Sequence, residues 1–216
     1  MHIYQFRQLA GQEIVDYNLI KNALKRYSHP RGKISEWIRK SELIRVKKGL
    51  YIFGQAASQE PYSLEVLANL IYGPSALSLN YALYYYGLIP ERVQTITSIT
   101  NKRNKIFNTP IGCFTYHYLS PEKYAIGIQL LTIGNGINFL IATPEKALCD
   151  VVSLTIKGIT FKSKQDIERF ILDDLRLDET ELKKLDNDLI KEISHVYGNT
   201  RLNYFVTHYL MWKKIK

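Results

Sequence analysis

The chain has 216 residues, 46% of them hydrophobic and 23% charged, proportions that exclude a disordered or fibrous protein and allow a core that needs no metal or disulfide to hold it. Its net charge of +9 points toward a polyanionic partner. That charge is uneven: residues 1–58 carry eleven Lys and Arg against four Asp and Glu, a net of +7, and the remainder eighteen against sixteen, a net of +2.

The start, Met1-His2-Ile3-Tyr4-Gln5-Phe6-Arg7, lacks the basic segment and apolar run of a secretory leader, and no later stretch is apolar for long enough to cross a bilayer. A cytoplasmic protein without membrane contact is expected. Asp16 is placed to cap a helix over residues 17–26, in which Leu19, Ile20, Ala23 and Leu24 recur on one face. That helix closes at Tyr27-Ser28-His29, and Pro30, suited to a first helical turn, opens a second helix over 30–40. Within it Ile34, Trp37 and Ile38 form an apolar stripe and leave Arg31, Lys33, Ser35, Arg39 and Lys40 facing outward.

Ile44 and Val46 then alternate with Arg45 and Lys47 as in a half-buried strand, Lys48-Gly49 turns the chain, and residues 50–53 return as the partner strand. Two helices followed by a hairpin with lysines at its tip predict a winged helix-turn-helix over residues 1–58. A helix fits the major groove of double-stranded DNA, and cations displace counterions from its phosphates. The expected DNA contacts are therefore Arg31, Lys33, Ser35, Arg39 and Lys40 from the helix and Arg45, Lys47 and Lys48 from the wing.

The small, polar stretch 54–61 ends in Pro and marks the expected boundary with a larger unit, residues 59–216. A helical pattern begins at Tyr62 and ends near Gly73-Pro74, and a second helix is expected over 75–86, stopping at Gly87. Its Tyr81, Tyr84 and Tyr85 suit either core and edge packing or, where exposed, a protein-binding anchor. Strands are expected over 95–100, 115–118, 129–133 and 137–142, forming a small, mostly antiparallel sheet. Thr143-Pro144-Glu145 reads as cap, first-turn Pro and first-turn acid of a helix through Leu154, and helical patterns from Ser163 close the chain. The fold class is α+β: a winged helix-turn-helix, then a larger α/β unit with a helical end.

No phosphate loop, nucleophile elbow or paired metal-ligand spacing occurs, and His2, His29, His117, His195 and His208 are scattered. Cys113 and Cys149 lie far apart among apolar neighbours and are expected in the core. Neither an enzyme nor a bound cofactor or metal is expected.

Four stretches resemble the AbiEi-like antitoxins of type IV toxin–antitoxin systems, also described as abortive-infection transcriptional regulators. They are residues 27–34 (YSHPRGKI), 43–51 (LIRVKKGLY), 77–91 (LSLNYALYYYGLIPE) and 142–150 (ATPEKALCD). The resemblance implies a repressor that binds inverted repeats in its own operator. It also implies a second activity, carried by the larger unit, that counters a nucleotidyltransferase-like toxin encoded beside it without a stable complex. A solitary winged-helix regulator, whose larger unit binds a small ligand or another protein, is the alternative.

Overall fold

Residues 3–10, for which the sequence reading expects no element, coil into a helix, α1 (Ile3–Ala10), that buries Ile3, Phe6 and the stem of Arg7. Gly11 ends it in the left-handed conformation, φ 62°, where its N–H returns to the Arg7 carbonyl. The computed structural model describes residues 1–134, 136–155, 161 and 163–215, with side chains as far as Lys213. Among these residues the chain is a mixed α+β protein with eleven α-helices and two sheets.

A short strand, β1 (Ile14–Asp16), leads into α2 (Tyr17–Ala23), and Asp16 caps it by accepting the Leu19 N–H at 2.7 Å. Next come α3 (Pro30–Arg39), with Pro30 in its first turn, and the antiparallel strands β2 (Leu43–Lys47) and β3 (Leu50–Phe53). β3 is central in the sheet order β1-β3-β2. On one sheet face Phe6 packs against Trp37 and Phe53, with ring centroids 5.4 Å apart in each pair, and Ile20, Leu24, Ile34 and Leu43 complete a first core. On the other face Val46, Leu50 and Ile52 belong to a second core built mainly from the rest of the chain.

The stretch after β3 is tied down. Gly54 passes so close to the turn after α3 that a Cβ there would stand 1.9 Å from the Ser41 carbonyl oxygen. Beyond it the Gln59 and Glu60 N–H groups donate to Glu13 Oε1 at 2.9 and 2.8 Å, and the same oxygen receives Arg7 at 2.6 Å.

The second core is organised by a sheet of six strands. α4 (Leu64–Ile71) precedes β4 (Ser75–Leu77), followed by α5 (Leu79–Tyr85), β5 (Ile96–Thr100), β6 (Lys105–Thr109), β7 (Gly112–Tyr118) and the one-turn α6 (Pro121–Ala125). β8 (Ile128–Ile133) and β9 (Ile137–Ala142) complete it, in the order β6-β7-β5-β4-β9-β8. Three of the five pairings are antiparallel and two, β5 with β7 and β4 with β9, are parallel, so the sheet is mixed.

Two expectations change here. The expected helix over 75–86 starts four residues later, because Ser75, Ala76 and Leu77 are buried between β5 and β9 as a central strand. β6, unpredicted, is an edge strand whose Lys105, Ile106 and Asn108 are exposed, so it carries no buried alternation. Cys149 is fully buried, as expected, but Cys113 on β7 is only half-buried.

The chain closes in helices: α7 (Pro144–Asp150), extended by a wider turn over Val151–Thr155, then α8 (Lys164–Arg169), α9 (Glu179–Lys184), α10 (Asn187–Tyr197) and α11 (Thr200–Ile215). α7 brings a buried polar cluster into the second core. The Lys146 amine donates to Asp150 at 3.2 Å, Tyr197 at 2.6 Å and the Lys123 carbonyl at 2.8 Å, while Ser78 donates to the other Asp150 oxygen at 2.5 Å. Each donor has an acceptor, which offsets the desolvation of two buried charges.

Candidate nucleic-acid interface

α3 and the β2–β3 hairpin stand apart by the width of a cleft of about 690 Å³, lined by Tyr17, Arg31, Ile34, Ser35, Ile38, Arg45, Lys48, Gly49 and Tyr51. The floor is apolar and aromatic. The mouth carries the cations: Arg31 and Ser35 lie one turn apart on α3, Arg45 is on β2, and Lys48 is in the hairpin turn, all of them exposed. The Tyr17 hydroxyl beside Arg31 pushes the guanidinium further above its ordinary value. Neither Arg31 nor Arg45 nor Lys48 makes an ion pair among the described residues, and no carboxylate lines the cleft. The mouth of the cleft is thus a cluster of exposed cations over an apolar and aromatic floor, a place of positive potential.

The other expected contact residues separate into three situations. Lys33 and Lys40 both bond Glu36, at 2.9 and 2.8 Å, on the side of α3 turned from the cleft. Their two hydrogen bonds hold the Glu36 carboxyl down to about 2, and two lysines with one glutamate leave the trio a single net positive charge at neutral pH. Arg39 is exposed at the end of α3. Lys47 is turned the other way: its amine donates to the carbonyls of Leu70 and Ile71 at the end of α4.

The tyrosines of α5 also divide. Tyr81 is buried and donates its hydroxyl to Glu65 at 2.7 Å, which removes it from any protein-binding surface. Tyr85 is half-buried against Tyr86 and Phe139, leaving Tyr84 as the exposed member of the three. Sequence reasoning missed Tyr17 as a wall of the cleft, although its position directly after the Asp16 cap sets it on the first turn of α2.

No family model matches the chain, and no curated protein matches it. Among solved structures, the crystal structure of the RV2827C protein from Mycobacterium tuberculosis is similar, with a TM-score of 0.58 and 12% sequence identity. The match covers 97% of this chain and 78% of that one. At that identity the likeness speaks to the fold alone.

Proposed function

We propose that residues 1–58 are a winged helix-turn-helix that binds duplex DNA, and that the protein is an autorepressing antitoxin of a type IV toxin–antitoxin system. The observation that carries the DNA half is the convergence of Arg31, Arg45 and Lys48, none of them in an ion pair among the described residues, on the mouth of one cleft between a helix and a hairpin. In such an arrangement the helix enters the major groove, where Arg31, Ser35 and Arg39 are within reach of base edges, and the hairpin meets phosphates. The antitoxin half rests on the resemblance of residues 77–91 and 142–150, which lie on β4–α5 and on β9–α7 in the larger part of the chain.

Two measurements test the halves separately. Fluorescence anisotropy with DNA from upstream of the protein's own gene should show binding that weakens steeply with salt. The R45A/K48A variant should flatten the salt slope by up to about 2, because two phosphate contacts are lost. A parental slope in that variant would remove the hairpin from the interface. Growth of cells expressing a neighbouring nucleotidyltransferase-like toxin should be restored by the intact protein. Operator binding without any rescue would leave a transcription regulator with no antitoxin role.

A further inference from the structure

We propose that the β5–β6 loop, residues 101–104, together with Lys105 at the start of β6, is a second duplex-backbone contact, so that DNA held by the hairpin is also gripped by the larger part of the chain. This rests on the DNA reading above and extends it beyond residues 1–58. Lys47, from the hairpin, and Lys102, from the loop, converge on one helix end. Lys47 donates to the Leu70 and Ile71 carbonyls and Lys102 to the Gly73 carbonyl at 2.5 Å. α4 has no basic residue in its own last turn; Lys47 meets its last two carbonyls and its negative dipole end, and Lys102 meets the Gly73 carbonyl two residues beyond it. The loop is therefore fixed directly beside the hairpin.

Its geometry is set from inside and its charge is left outside. The Lys102 N–H donates to Thr100 Oγ1 at 3.2 Å, Asn104 Oδ1 accepts the Tyr118 N–H at 2.6 Å, and the Lys102 amine lies 5.7 Å from the centre of the Tyr72 ring. Arg103 and Lys105 are exposed, and neither makes an ion pair among the described residues. Between residues 94 and 121 the sequence holds three cations and no acid. By contrast residues 166–192 hold ten acids and five Lys and Arg, so the charge of the larger part is polarised rather than neutral. Burial, and then the Lys102 charge, push the Lys47 amine below its ordinary value. Two like charges held this close repel, and the carbonyls of Leu70, Ile71 and Gly73 that the two amines meet offset that repulsion, so Lys47 and Lys102 fix the loop while Arg103 and Lys105 are left as the cations open to a phosphate.

The test is fluorescence anisotropy on the full chain with a mixed-sequence duplex over a range of salt, comparing R45A/K48A, R103A/K105A and K183A/K184A. The last removes the same charge from the acidic helical end. R103A/K105A should bind roughly tenfold more weakly at low salt, with a slope flatter by about 2, and K183A/K184A should keep the parental slope. Circular dichroism melts matching the parent exclude unfolding of these surface variants. If R103A/K105A keeps parental affinity and slope while R45A/K48A loses both, the loop contact is wrong and the DNA reading stands. Equal losses in R103A/K105A and K183A/K184A also overturn the inference, because the effect is then one of overall field. Absence of binding by the intact chain overturns the DNA reading itself.

Discussion

One oxygen of Glu13 holds three stretches of chain together: the end of α1 through Arg7, the start of β1, and the segment after β3 through the Gln59 and Glu60 N–H groups. Replacing it by Gln leaves the buried Arg7 guanidinium without a counter-charge, so E13Q should cost about 3–5 kcal/mol in urea unfolding at neutral pH. Burial pushes the Glu13 carboxyl up, but Arg7 and the two backbone donors outweigh it and hold it below its usual range. A carboxyl with a lower pKa folded than unfolded binds fewer protons in the folded state. Its contribution is thus complete above the unfolded value of about 4.3 and is lost as pH falls through the folded one. The parent should lose stability across that acid range more steeply than E13Q, and equal slopes would show that Glu13 is not the group responsible. None of this was legible in the sequence. Arg7 and Glu13 lie six positions apart across a helix end, a spacing at which no regular element brings side chains together.

The hairpin shows how one irregularity reassigns a residue. Strict alternation along residues 44–47 places Arg45 and Lys47 on the same face, which is why both were expected at the DNA surface. In the pairing of β2 with β3, however, Arg45 stands opposite Tyr51 and Lys47 opposite Leu50, with a bulge between them. Leu50 and Tyr51 point to opposite faces, so the extra residue sends Lys47 away from the cleft and toward α4. A bulge has no reliable mark in sequence, whereas the features around it do. Asp16, Pro30 and Lys48-Gly49 announced α2, α3 and the turn because caps, first-turn prolines and tight turns are local requirements. The two adjacent lysines should therefore behave differently. K47A should cost about 1 kcal/mol of stability through the lost carbonyl contacts, and K48A should stay within about 0.5 kcal/mol of the parent while weakening DNA binding. Urea midpoints and anisotropy on both variants measure this, and equal stability losses would contradict the face switch.

At the scale of the molecule, the three-stranded sheet is a layer shared by two cores rather than the outer wall of one. Leu50-Tyr51-Ile52-Phe53 is apolar at every position, the pattern of a strand covered on both sides, and all four residues are buried. Tyr51 and Phe53 face α1–α3, while Leu50 and Ile52 face the core that includes Leu67, Ile71 and Ala76. The change of charge and composition near residue 58 was plain in the sequence. The sharing of a sheet was not, because a composition boundary says nothing about which faces stay wet. Separation at that point would expose Val46, Leu50 and Ile52, and the Glu13 contacts to residues 59 and 60 would go with it. The two parts should accordingly unfold together. The chain has two tryptophans, Trp37 in the first core and Trp212 in the second, both buried. In W212F the fluorescence of Trp37 reports the first core, and in W37F that of Trp212 reports the second, while far-UV circular dichroism follows the whole. In each variant the urea midpoints of fluorescence and circular dichroism should coincide, as a single cooperative transition requires. A Trp37 midpoint at clearly lower urea than that of circular dichroism would mean that the shared layer contributes little, and that the first 58 residues come apart on their own.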